Sequence, residues 1–213
     1  MLSSPLPLLR LCLPWLLVGM LLMSPTALAN RQTILVFGDS ISAGYGMQAG
    51  ESWPSLLADR LTLTPGFAGY RVINASVSGE TTGGGLIRLE AALEAHEPAL
   101  LILELGGNDG LRGYPIDRIE NNLAAMIRIA RDRDIRVLLV GMVLPPNYGK
   151  RYTTAFQALY QRLAISGEVD FIPVLLEGLV TPKSLMQRDG IHPTAEAQPL
   201  LLDNLWPYIS AAL

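Results

Sequence analysis

The sequence predicts a three-layer α/β/α sandwich built on a central, mostly parallel five-stranded sheet. Three observations lead there. Short apolar runs alternate with longer amphipathic ones over residues 30–213. Several of the short runs are apolar at every position, as strands covered on both faces require. No internal repeat, linker or low-complexity stretch breaks the alternation, so one domain over residues 30–213 is expected, with right-handed strand–helix–strand crossovers.

Taken in order, strands are predicted over 33–37, 70–74, 100–105 and 137–142, with a weaker fifth over 169–172. Helices are predicted over 53–63, 86–96, 116–133 and 152–165. In the third of these, Ile119, Leu123, Met126, Ile127 and Ala130 fall on one stripe, with Arg128 and Arg131 off it. A last helix is expected from about residue 194 to 212, with Leu201, Leu205 and Ile209 four apart. Pro199 either bends that helix or marks its first turn.

Residues 1–29 read as a signal peptide. Arg10 is their only charge, the apolar run 11–23 spans 13 residues, and Ala27-Leu28-Ala29 supplies a small-x-small cleavage site. A run of that length falls short of the roughly 20 residues a membrane-spanning helix needs, so a stable anchor is the lesser alternative. Cleavage after Ala29 would start the mature chain at Asn30, leaving about 184 residues, enough for one well-buried domain. The segment also holds Cys12, the only cysteine, so the mature chain would carry no disulfide, thiolate nucleophile or cysteine metal site. Losing Arg10 leaves 15 basic residues against 19 acidic ones, a net charge of −4. That mild acidity argues against nucleic acid or an anionic membrane surface as the main partner.

The polar residues gather where a parallel sheet collects its site, beyond the carboxyl ends of the strands. Ser40 follows the first strand and Ser78-Gly79-Glu80 the second; Gly106-Gly107-Asn108-Asp109 follows the third, and Leu144–Gly149 the fourth. Asp189 and His192 precede the last helix, and His96 and His192 are the only histidines. A serine hydroxyl becomes a nucleophile when a base takes its proton, and the base works best when a third group fixes its tautomer. Asp189-Gly190-Ile191-His192 brings a carboxylate within reach of an imidazole in a tight turn, with Gly190 permitting the bend and Pro193 stiffening it at a helix start. Each piece also has a plainer role: Ser40 suits a helix N-cap, Asp39 braces its turn, and Gly79 and Asn108 suit ordinary turns. His96 suits a helix C-terminus. Two histidines without cysteine leave a metal site short of ligands.

Two other patterns do not carry through. Gly44-Tyr45-Gly46-Met47-Gln48-Ala49 fits the dinucleotide-binding letters but comes too late after the first strand, and the second strand ends in Asn74 where an acid is wanted. Gly83-Gly84-Gly85 lacks the Gly-Lys-Ser/Thr that a P-loop needs.

Gly38-Asp39-Ser40, Gly79, Gly106-Gly107-Asn108-Asp109 and Asp189-x-x-His192 occur in the order of the four blocks of the SGNH (GDSL-type) hydrolases. Within that superfamily, Gly107–Gly113 and Pro146–Tyr152 resemble the periplasmic multifunctional acyl-thioesterase, lysophospholipase and arylesterase enzymes. The resemblance spans essentially the whole mature chain. It implies the flavodoxin-like SGNH fold and an exported periplasmic serine esterase acting on small acyl esters and thioesters; a monomer without cofactor or metal is expected, although the sequence itself does not reveal the oligomeric state. By that resemblance Ser40 is the nucleophile, His192 the base and Asp189 its orienting carboxylate. The Ser40 backbone N–H, Gly79 and Asn108 make the oxyanion hole. Gly110, Leu111, Tyr114 and Pro115 belong to a loop that closes over the acyl chain, with Leu144, Pro145 and Tyr148 as a second wall. A carbohydrate acetyl-esterase is the other enzymatic reading, and a binding domain without turnover the non-enzymatic one.

Overall fold

The computed structural model describes Met1 and residues 32–179 and 183–213. The leader expected over residues 1–29 lies, apart from Met1, outside them. Strands β1 (Gln32–Gly38), β2 (Tyr70–Asn74), β3 (Leu100–Glu104), β4 (Arg136–Val140) and β5 (Asp170–Ile172) form one sheet in the order β2-β1-β3-β4-β5. All four pairings are parallel. Helices α2 (Trp53–Leu63) and α7 (Gln198–Ala212) cover one face, while α3 (Thr82–His96), α5 (Ile116–Arg131) and α6 (Lys150–Gly167) cover the other. Both faces are therefore sealed, which is why Ile34–Phe37 and Leu100–Leu103 are all buried. The predicted stripe on α5 is buried in full, and Leu201, Leu205 and Ile209 of α7 join the same core. Pro199 sits in the first turn of α7, where its missing N–H costs nothing.

Several boundaries shift, most by one or two residues, and three of the shifts have a clear physical reason. Helix α3 begins at Thr82 rather than residue 86, although three glycines in its first turn disfavour a helix by about 1 kcal/mol each relative to alanine. Thr81 caps it by accepting from the Gly84 N–H, and the buried Asp109 carboxylate accepts from the Thr82 N–H at 2.8 Å and the Thr82 hydroxyl at 2.6 Å. Gly85 must be small, since a Cβ there would sit 2.5 Å from Leu105 Cδ1. Strand β4 stops at Val140, and Met142 beyond it turns toward the carboxyl-end cavity. The last helix starts at Gln198 after a 3₁₀ turn over Ala195–Ala197, so Pro193 stands before it and bridges Met186 instead of opening it.

Two short helices complete the carboxyl edge: α1 (Ser40–Ala43) after β1 and α4 (Gly107–Leu111) after β3. In this strand order β1 and β3 are neighbours whose connections leave in opposite directions, the place where parallel sheets form their crevice.

Candidate active site

Ser40 opens α1, but the cap of that helix is Asp39, whose Oδ1 accepts from the Ile41 N–H at 3.1 Å. The Ser40 hydroxyl is thereby spared the capping role that serine often takes at such a junction. Its Oγ lies 2.7 Å from His192 Nε2, across 152 positions of sequence. The other ring nitrogen, Nδ1, lies 2.7 Å from Asp189 Oδ2.

The histidine turn builds itself locally. Asp189 Oδ1 accepts from the N–H groups of Ile191 (2.9 Å) and His192 (3.1 Å), and Gly190 takes a left-handed φ of 69° that a side chain would resist. Desolvation works upward on Asp189, but the His192 ring and these two N–H donors hold its carboxyl down at about 2. An ionised Asp189 accepts only, so Nδ1 carries the hydrogen and Nε2 presents its lone pair to Ser40. Gln187 ties the turn to the fold: its N–H donates to the His192 carbonyl at 2.7 Å, and its amide to the Tyr45 carbonyl at 2.8 Å.

The nucleophile turn is braced from inside. Glu104 ends β3 directly opposite Gly38, and its buried Oε2 accepts from the Ser42 hydroxyl at 2.6 Å and the Asp39 N–H at 3.2 Å. Trp53 Nε1 donates in turn to Ser42 Oγ at 3.2 Å. A Cβ on Gly38 would overlap Glu104 Oε2, which explains the glycine. Burial, then the neighbouring Asp39 charge, push the Glu104 carboxyl well above the usual range. Burial likewise raises Asp39 to about 6, against hydrogen bonds from Ile41 and Asn108 and the charge of His192.

Three donors belong to residues that line the same cavity as the serine, each with hydrogen-bonding capacity left over among the described residues. The Ser40 and Gly79 N–H groups bond no protein group, and Asn108 donates one amide hydrogen to Asp39 Oδ2 at 3.1 Å, leaving the second free. Gly79 holds φ at 79° with open space where a Cβ would stand. Ser40, Gly79, Asn108 and His192 all line one cavity of about 660 Å³.

Of the residues expected to contact substrate, Leu111, Leu144 and Pro145 stand in the cavity wall. Gly110, Tyr114, Pro115 and Tyr148 stand outside it. Gly110 packs beneath Leu144 and Phe156, Tyr114 lies under the Arg118 guanidinium, and Pro115 caps α5. Tyr148 reaches the wall only through its hydroxyl, which donates to the Leu111 carbonyl at 2.9 Å. The sequence reading missed Glu104, whose signal was an acid closing an otherwise apolar strand, and Tyr45, Met142, Leu175, Leu176, Met186 and Ile191 in the wall. Tyr45 lies in the glycine-flanked string set aside above. There Gly44 closes α1 in a left-handed conformation, and Gly46 leaves room for Gln187. Among the described residues no three His, Cys, Asp or Glu side chains gather as a metal would need.

Residues 36–199 match the GDSL-like lipase/acylhydrolase family. The chain is 48% identical over 188 residues to the esterase TesA of Pseudomonas aeruginosa, covering 88% of this chain and 92% of that protein. It is 42% identical to thioesterase 1/protease 1/lysophospholipase L1 of Escherichia coli, over 82% of each. Its fold is similar to that of the psychrotrophic esterase EstA from a Pseudoalteromonas species, solved with monoethylphosphonate as inhibitor. The TM-score is 0.79 at 37% identity, covering 84% of this chain and 97% of that one.

Proposed function

Since the chain belongs to the GDSL-like lipase/acylhydrolase family and is a carboxylic ester hydrolase, we propose that it works through a Ser40 acyl-enzyme. His192 Nε2 accepts the Ser40 proton as Oγ attacks the ester or thioester carbonyl. Asp189 stays ionised and supports the imidazolium that forms. The oxyanion is received by the Ser40 and Gly79 N–H groups and the free Asn108 amide hydrogen. His192 then returns the proton to the departing alcohol or thiol, and water activated by the same nitrogen releases the acid.

The observation that carries this reading is the pair of 2.7 Å contacts linking Ser40, His192 and Asp189 at one cavity. The wall formed by Leu111, Leu144 and Pro145 favours an acyl chain over a sugar, whose hydroxyls would want polar partners there. The substrate range on this reading includes aryl esters, acyl thioesters and lysophospholipids, in line with relatives named arylesterase and thioesterase 1/lysophospholipase L1. With residues 1–29 as a cleaved leader, the working enzyme is periplasmic, and amino-terminal sequencing of exported protein should begin at Asn30. The direct test of the chemistry is p-nitrophenyl butyrate hydrolysis by Ser40→Ala. Loss of turnover with an unchanged melting temperature supports the assignment, and wild-type turnover refutes it.

A further inference from the structure

The cavity has two walls made by different parts of the chain. One comes from the β3 and β4 ends: Asn108, Leu111, Leu144 and Pro145, tied together by the Tyr148 hydroxyl on the Leu111 carbonyl. The other comes from Tyr45, Met186 and Ile191. The Tyr45 ring lies on the His192 imidazole, centroids 4.5 Å apart at 37°. Tyr45 is held there by its backbone, its N–H donating to the Ser40 carbonyl at 3.0 Å and its carbonyl accepting from Gln187. Its hydroxyl bonds no protein group among the described residues. Tyr45 and Ile191 are 50% and 37% exposed, so both keep apolar surface open at the mouth beside the imidazole.

Acylation fixes what must lie against that second wall. The bond from Ser40 Oγ to the carbonyl carbon forms, the carbon–oxygen bond to the alcohol breaks, and the Ser40 proton passes through His192 Nε2 to the departing oxygen. The leaving group must therefore lie beside His192 Nε2, next to the side chains that line the cavity around the imidazole, Tyr45 and Ile191 among them. The acyl chain, on the other side of the carbonyl, meets the Leu111–Leu144 wall. On the reading of Ser40 and His192 given above, we infer that Tyr45 and Ile191 form the leaving-group subsite and select esters of aromatic alcohols. An aromatic ring pairs favourably with the Tyr45 ring and covers exposed apolar surface that a short alkyl group leaves wet.

The test varies the alcohol at constant acyl group, comparing benzyl butyrate with ethyl butyrate by kcat/KM, which reports acylation. In Tyr45→Ala the benzyl-to-ethyl ratio should fall about tenfold, the size expected for one aromatic pair with its area. Tyr45→Phe should restore the ratio, because the ring and not the hydroxyl makes the contact. Ile191→Ala should lower the ratio in the same sense, and in all three the preference among p-nitrophenyl esters of different acyl length should hold. An unchanged ratio in Tyr45→Ala, or an equal fall for both esters, would overturn the subsite. Ser40→Ala run alongside separates the two failures: if it hydrolyses both esters like wild type, the nucleophile is wrong. If it is inactive while Tyr45→Ala keeps the wild-type ratio, only the subsite is.

Discussion

Two aspartates flank the Ser40–His192 hydrogen bond in opposite surroundings. Asp39 is 3% exposed, and burial lifts its carboxyl to about 6; the Asp189 side chain is 38% exposed, and its hydrogen bonds hold it near 2. The serine thus rests on a turn that belongs to the core, braced by Glu104, Ser42 and Trp53. The histidine rests on a surface turn braced by its own aspartate and by Gln187. Damage to the first support should disturb folding and chemistry together, whereas damage to the second should disturb chemistry far more than folding.

The largest effect expected from the exposed side is Asp189→Asn, which offers the imidazole the wrong hydrogen-bonding partner. It should lower kcat/KM on the order of 10³–10⁴-fold with only a small fall in melting temperature, less than that from Gly38→Ala. A fall as large as that from Gly38→Ala would break the contrast. Between the two supports stands Asn108, and Asn108→Ala should cost about 10²–10³-fold in kcat with little change in KM, as for loss of one oxyanion donor. From the buried side, Gly38→Ala drives a Cβ into Glu104 Oε2 and should destabilise by about 3 kcal/mol, read from the urea midpoint.

The smallest effect concerns Asp39 and sharpens the contrast by its sign. Its carboxyl titrates at about 6 in the fold against an ordinary 3.8, so the folded state holds the proton more tightly. Stability from this group is therefore lost as pH rises between about 4 and 6, by about 2–3 kcal/mol in full. Asp39→Asn escapes that loss while keeping a cap acceptor for Ile41. Its stability relative to wild type should rise by that amount from pH 4 to pH 8 in denaturant titrations, although its activity falls because Asn108 loses its carboxylate partner.

Much of the fold was legible because both-face burial writes itself as unbroken apolar runs, and residues 33–37 and 100–103 read directly as strands. The start of α3 was hidden, because Gly83-Gly84-Gly85 disfavours a helix and the compensating Asp109 lies 27 residues from Thr82. Spacing alone marked Ser40, Asp189 and His192 as candidates, since their side-chain chemistry and turn residues are local. Their walls were not legible. Tyr45 meets His192, and Glu104 meets Gly38, only because β1 and β3 are neighbours and the 186–192 segment folds back over α1. Such contacts depend on strand order, which no single segment encodes.

The central claim, that one serine hydroxyl is activated by one imidazole, is most directly tested by labelling the protein with an ethyl phosphonate ester and mapping the adduct by peptide mass spectrometry. One adduct per chain on Ser40 is expected, absent in Ser40→Ala and strongly slowed in His192→Ala. An adduct on any other residue, or equal labelling of Ser40 without the imidazole, would contradict the account.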